Sequence, residues 1–227
     1  MNNNIKIKNL TKKYEKNKSI KVLNDITFNF EPGKTYSIMG PSGSGKSTLL
    51  NLLSLIDNPT AGSIEISNNK IKSNNKVKND LIRAKKIGII YQDKNLLSDF
   101  TALENVYLPN LLVSKEKQKS IELAKKLLKN VGMSSRINHF PNELSGGENQ
   151  RIAIARALIN NPDIILADEP TGSLDSDNAK LIFKILFNFK NKNRIIIFAT
   201  HNRYFANMAD CKIMMNDGNI QIINATI

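Results

Sequence analysis

Apolar and polar residues alternate along residues 5–10, and less regularly along 22–30, the period-two pattern of half-buried antiparallel strands. Glu31, Pro32 and Gly33 then turn the chain into an apolar run at 35–39, and runs of similar size recur at 87–91, 164–168 and 194–199. Bounded by turn signals and too short for helices, these read as buried strands. Between them the spacing becomes helical: Leu49, Leu50, Leu52, Leu53 and Ile56 form one stripe, and residues 101–108 another. Within 115–131 the stripe is Ile121, Ala124, Leu127 or Leu128, and Val131, with Gly132 as a C-terminal stop. Ile152, Ala155, Ala157 and Leu158 mark a helix ending before Pro162, and Leu181, Ile182, Ile185, Leu186 and Phe189 one over 178–191. After a turn at 59–62 comes a short strand at 63–66. The polar stretch 68–79 reads as an exposed loop leading to a short helix through Leu81 and Ala84. Strands at 213–215 and 219–223, joined by Asp217 and Gly218, predict a closing hairpin. The order predicts an α/β fold with a mostly parallel sheet, an N-terminal antiparallel β subdomain and a helical insertion.

The chemistry concentrates where strand 35–39 meets the next helix. Gly40, Pro41, Ser42, Gly43, Ser44, Gly45, Lys46, Ser47 and Thr48 form a glycine-rich turn between a buried strand and an amphipathic helix, the context of a P-loop in an NTPase core. Glycines let the backbone bend tightly and bring its N–H groups close to a ligand, and the helix start adds partial positive charge. A phosphate chain fits there: Lys46 reaches the β- and γ-phosphates, Ser47 offers its hydroxyl to Mg²⁺, and Thr48 lies in the first turn.

Other candidates sit at strand ends and helix starts. Gln92 ends the strand at 87–91, where its amide can reach a metal or a water. Leu144, Ser145, Gly146, Gly147 and Glu148 open a helix, so Ser145 and the two glycines form a second anion site, while Ser145 and Glu148 also have the spacing of a capping box. The apolar strand 164–168 delivers Asp168 and Glu169, two carboxylates that need pairing or a metal at a buried strand end. Asp168 is expected to hold Mg²⁺ through water, and Glu169 to polarise an attacking water. His201, at the end of the strand 194–199, is placed to contact a γ-phosphate; His139 lacks such company and reads as a surface histidine. Tyr14 reads on position alone as ordinary packing.

Composition narrows the setting. The 227 residues suit one large domain or a domain with a small lobe, and exclude two complete nucleotide-binding domains. The net charge of +13 comes from lysines spread along the chain among asparagines, with few aromatics; this predicts some attraction to anionic lipid but no specific nucleic-acid partner. Cys211 is the single cysteine, so no intrachain disulfide forms, as suits a reducing compartment. Neither a signal-peptide core nor a run near the ~18 apolar residues of a spanning helix stands in the sequence. The expectation is a soluble, cytosolic protein that needs a partner for any membrane role.

In this order, the segments resemble the ATP-binding subunits of ABC transporters over essentially the whole chain: Walker A at 40–48, a Q-loop at Gln92 opening a helical subdomain at about 93–160, the signature at 144–148, Walker B at 164–168 with Glu169, a D-loop at Ser173, Leu174 and Asp175, and a switch histidine at His201. The resemblance implies that residues 1–227 are one ABC domain binding ATP and Mg²⁺. It also implies that Tyr14 stacks on adenine, that Gln92 and Asp175 serve the nucleotide site, and that Glu169 and His201 serve hydrolysis. Two copies would pair head to tail as an ATP-dependent homodimer, each closing Ser145, Gly146 and Gly147 over the other's ATP. The dimer would drive integral-membrane permease subunits from the cytoplasmic face of the inner membrane. Residues 96–106 with Pro109, and 167–175, look like the lipoprotein-releasing and macrolide-export branch; Phe100, Asn142 and Glu143 lean toward lipoprotein release. Antibiotic-export, cell-division and soluble iron–sulfur assembly ATPases are the alternatives. The departures are Glu148 in place of glutamine, Asn202 where an aspartate often follows the histidine, and Asp93, Lys94 and Asn95 in the expected permease-contact region.

Overall fold

The computed structural model describes residues 3–16 and 18–225. In chain order the elements are β1 (Ile5–Lys16), β2 (Lys18–Phe30), β3 (Thr35–Met39), α1 (Lys46–Leu53), β4 (Ala61–Ile66), β5 (Asn69–Lys70), α2 (Lys76–Lys86), β6 (Ile87–Ile90), α3 (Ala102–Ser114), α4 (Lys117–Asn130), α5 (Gly146–Leu158), β7 (Ile164–Asp168), α6 (Ser176–Asn188), β8 (Ile195–Ala199), α7 (Arg203–Ala206), β9 (Cys211–Asn216) and β10 (Asn219–Ala225).

Two sheets result. An antiparallel sheet has the order β2-β1-β4-β5, and a six-stranded sheet the order β10-β9-β3-β8-β7-β6. Within the second, the pairs β9–β3, β3–β8, β8–β7 and β7–β6 are parallel and the closing hairpin β9–β10 is antiparallel. The fold is the expected mostly parallel α/β core with an antiparallel β sheet and a helical segment.

Period-two side-chain alternation explains why the central strands are apolar throughout. Ile164, Leu166, Ile195 and Ile197 join one core, shared with α1 and the antiparallel sheet. Ile165, Ala167, Ile196 and Phe198 point the other way, into a second core with α3, α4, α5 and α6. In that second core Phe183 stacks on Phe205 at 4.0 Å between ring centroids and meets Phe198 edge-on at 5.2 Å, tying α6 to α7 and β8. The buried Arg194 fastens the start of β8 by donating to the Pro162 and Phe189 carbonyls, each at 2.8 Å, and to Asn161 Oδ1 at 2.7 Å.

Several expected boundaries move. The β1–β2 hairpin outruns its alternating pattern because register shifts fall between Ile7 and Lys13, with Asn9 and Asp25 in the left-handed region (φ 52° and 55°); one result is that Lys12 turns inward and is only 9% exposed. The short helix expected through Leu81 and Ala84 is α2, but it starts earlier, so the loop expected over 68–79 holds β5 and the first turn of α2, where Asn79 is the one buried residue. Helix α3 continues through Pro109 to Ser114 instead of stopping at Leu108. Its last turn is held by Asn110, which donates to Asn160 Oδ1 at 2.8 Å and accepts from Ser120 Oγ at 2.7 Å. The helix expected over 178–191 begins and ends earlier, at Ser176 and Asn188.

Caps fix the helix starts. Thr101 and Glu104 form a reciprocal capping box at α3. Thr101→Ala should lower unfolding free energy by about 0.5–2 kcal/mol, read from urea titrations; an unchanged midpoint would mean the cap contributes nothing.

Candidate active site

Strand β3 ends at Met39, and Gly40 and Gly45 make the following turn with φ 149° and 105°. Any side chain at Gly40 would collide with the Met215 carbonyl, so the close approach of β9 demands glycine there. Gly45 is the N-cap of α1 and supplies no side-chain acceptor, and no acidic residue stands in the first turn. The orphan N–H groups and the positive end of the helix dipole therefore face the loop, the arrangement that attracts phosphate. Lys46 Nζ donates to the Gly40 carbonyl at 2.8 Å and the Pro41 carbonyl at 2.9 Å, so the ammonium lies inside the loop.

Three strand ends converge on this turn. A cleft of about 600 Å³ is lined by Gly40, Ser42, Gly43, Gly45, Lys46, Ser47, Thr48, Gln92, Asp168, Glu169 and His201, with Val22 and Gly172. Glu169 leaves β7 in the left-handed region, φ 43°, with its N–H on the Ala199 carbonyl at 3.1 Å. Its carboxylate meets His201 Nδ1 at 3.0 Å, and the two differ sharply in exposure, 15% for the Glu169 side chain against 73% for His201. The Thr200 N–H bonds the Ile38 carbonyl at 3.1 Å, holding the end of β8 beside the P-loop strand. Asn202 then caps α7 by accepting from Tyr204 N–H at 2.9 Å, the part an aspartate would play.

Val22 and Gly172 were not singled out from the sequence. Gly172 had a signal in the turn after Pro170; its N–H bonds the Glu169 carbonyl at 3.0 Å and a Cβ there would lie 3.4 Å from Gln92 Nε2. Nothing in the sequence marked Val22.

The remaining expected residues lie outside the cleft lining. Pro41 and Ser44 belong to the loop itself. Tyr14, at the far end of β1, donates its hydroxyl to Asp57 Oδ2 at 2.8 Å. Burial is the main cause that raises its phenol pKa, followed by Asp57, with the Thr48 hydroxyl pulling the other way. Ser145 caps α5: its Oγ accepts from Glu148 N–H at 3.2 Å, while Glu148 Oε2 accepts from Ser145 N–H at 2.9 Å. The expected capping box is therefore present, and glutamate performs it. The Ser145 backbone bond is the leading cause that holds the Glu148 carboxyl below its ordinary pKa, with Arg136, donating from Nε at 3.2 Å, adding to it. Arg136 also meets the half-buried His139 at 3.2 Å, so that histidine packs against an arginine.

The turn at Ser145 is built against the segment containing Asp175. A Cβ on Gly147 would fall 2.6 Å from Asn178 Oδ1, and one on Gly146 would touch Leu174 at 3.6 Å. Asp175 caps α6, accepting from the backbone of Asp177 at 3.1 Å and Asn178 at 3.0 Å and from Asn178 Nδ2 at 2.6 Å. Farther along α5, Arg156 donates to the Asn95 carbonyl at 2.6 Å and the Lys94 carbonyl at 2.7 Å, fixing the segment after Gln92.

Known proteins place this geometry. Residues 23–172 match the model of the ABC transporter family. The chain is 45% identical over 206 residues to the lipoprotein-releasing system ATP-binding protein LolD of Rickettsia bellii, covering 90% of this chain and 91% of that protein. It is 44% identical to the uncharacterized ABC transporter ATP-binding protein MJ1508 of Methanocaldococcus jannaschii, covering 97% and 99%. Among solved structures, the ATP-binding cassette MJ0796, a dimer in a post-hydrolysis state bound to ADP and Pi, superposes with a TM-score of 0.89 at 38% identity over 97% of this chain and 99% of that one. With a matched family model over most of its length and a phosphate-binding turn facing a carboxylate–histidine pair, this chain belongs to the ABC transporter family as an ATP-binding, ATP-hydrolysing subunit.

Proposed function

We propose that the chain drives a separate integral-membrane permease from the cytoplasmic face of the inner membrane, and that the cargo is lipoprotein leaving that membrane. On this reading residues 1–227 are one ABC ATP-binding domain, with the helical subdomain at about 93–160. Among the described residues no helix is long and apolar enough to cross a membrane. The cargo rests on the names of relatives, LolD of Rickettsia bellii among them.

The observation that carries the mechanism is a division of parts. Lys46, Ser47, Gln92, Asp168, Glu169 and His201 share one cleft, whereas the turn of Ser145, Gly146 and Gly147 lies outside its lining. A second copy, facing the first head to tail, would lay that turn over the nucleotide. ATP then binds the closed pair better than the open one, and this difference in affinity moves the permease. Within the cleft Lys46 holds the β- and γ-phosphates, Tyr14 stacks on adenine from its edge, and Asp175 orders the turn opposite. Glu169 takes a proton from the attacking water while His201 steadies the γ-phosphate side. The Ser47 hydroxyl, Gln92 amide oxygen and Asp168 carboxylate are hard oxygen donors on one cleft, a set that suits Mg²⁺. Bound there, the ion offsets the charge of the phosphates.

Affinity purification of the tagged chain from membranes in Mg-ATP should bring down a four-span permease. Recovery of soluble assembly proteins alone would overturn the transporter assignment. Depleting the chain should strand lipoproteins in the inner membrane, and their normal departure would overturn the cargo.

A further inference from the structure

Beside Thr48, which lines the nucleotide cleft, Tyr14 stands in an arrangement that the hydrolytic residues do not explain. Lys12, turned inward by the register shifts of β1, places Nζ 4.7 Å from the centroid of the Tyr14 ring. The same ammonium donates to Asp57 Oδ1 at 2.7 Å and the Asn58 carbonyl at 2.8 Å. Asp57 Oδ2 accepts the Tyr14 hydroxyl at 2.8 Å, and Asp57 Oδ1 also accepts the Asn58 N–H at 2.7 Å. One face of the phenol is thus covered by a cation and its rim is tethered to a carboxylate. Burial works against the Asp57 anion but is outweighed by these bonds, which hold its pKa below the ordinary carboxylate value. The tether stays charged at neutral pH.

Such a ring has two properties that a free tyrosine on a strand end lacks. Its rotamer is fixed before a ligand arrives, so less side-chain freedom is lost on binding. The cation also draws π density toward the covered face, which lessens the repulsion felt by an electron-rich ring approaching the other. We propose that Lys12 and Asp57 are positioning residues for nucleobase recognition: they hold Tyr14 with one face closed and one face open, so that the purine of the bound nucleotide stacks on the open face. This rests on the stacking role assigned to Tyr14 above.

The test compares two ligands that share the phosphate turn and differ in the base: ADP and inorganic pyrophosphate, titrated by calorimetry into the intact protein. Tyr14→Ala should weaken ADP by about 10–100-fold, the range set by base–aromatic stacking, and leave pyrophosphate unchanged. Asp57→Asn and Lys12→Met should each weaken ADP by about 3–10-fold with pyrophosphate unchanged, the loss of one tether or one cation–π contact. In a Tyr14→Phe background, which lacks the hydroxyl, Asp57→Asn should cost little more. If Tyr14→Ala weakens ADP selectively while Asp57→Asn and Lys12→Met do not, the positioning role is overturned and stacking survives. Equal weakening of both ligands by Asp57→Asn, or a full-sized effect in the Tyr14→Phe background, overturns it as well, because Asp57 would then act on the fold. Should Tyr14→Ala leave the ADP-to-pyrophosphate ratio unchanged, the stacking role itself falls, and the proposal with it.

Discussion

Glu169→Gln is expected to lower ATP turnover by about 10²–10⁴-fold, the usual contribution of a positioned base, while nucleotide affinity stays close to that of the unmodified protein. The geometry explains why the two readouts should separate. The amide oxygen of glutamine can still accept from His201 Nδ1, which lies 3.0 Å from the carboxylate, so the shape of the cleft is kept and only the capacity to take a proton is lost. Lys46 and the orphan N–H groups of the first turn of α1 are untouched and continue to hold phosphate. The check is steady-state phosphate release beside equilibrium binding of fluorescent ATP. Turnover at the normal rate would remove Glu169 from the chemical step. Lost binding would instead show that the carboxylate supports the cleft.

Phe183→Ala should produce the largest loss of stability among single side-chain truncations in the second core, about 3–5 kcal/mol. Phe183 is fully buried and contacts the rings of Phe187, Phe198 and Phe205. Its removal opens a cavity among three elements at once, which cannot collapse without moving α6, β8 or α7. For a chain of this size the thermal midpoint should fall by roughly 6–20 °C, and the urea midpoint should fall with an unchanged slope. A shift under one kilocalorie's worth would mean that the aromatic cluster repacks around the gap.

What the sequence made legible was what strong local rules govern. The P-loop stands out because its glycines, lysine and hydroxyls sit between a buried strand and a helix, and the structure puts them in one cleft with Gln92, Asp168, Glu169 and His201. Strands β6, β7 and β8 were readable because both of their faces are covered, which leaves no polar interruptions. The misses follow from tertiary contacts that override local signals. The short helix expected through Leu81 and Ala84 is α2, but its first turn was read as loop because residues 76–79 are polar apart from Val77. The apolar stripe of α3 was read only to Leu108, yet Asn110 bonds with Asn160 and Ser120 carry the helix through Pro109 to Ser114. The four residues of α7 are too few for a period. The Lys12–Asp57–Tyr14 cluster joins residues 45 positions apart through a register shift, which no periodicity encodes.

Arg156 grips the backbone of Lys94 and Asn95 from the same helix whose first residue is Gly146. Ten residues of α-helix make a strut of about 15 Å, and a packed helix tilts more readily than it bends. On the function proposed above, a permease that pushed on the segment at residues 94–95 would swing the glycines at the opposite end, and a nucleotide that pinned those glycines would stiffen the segment in return. Cargo-side and fuel-side events would then be linked with equal strength in both directions, so a permease kept in one posture should by itself retune how tightly the chain holds ATP.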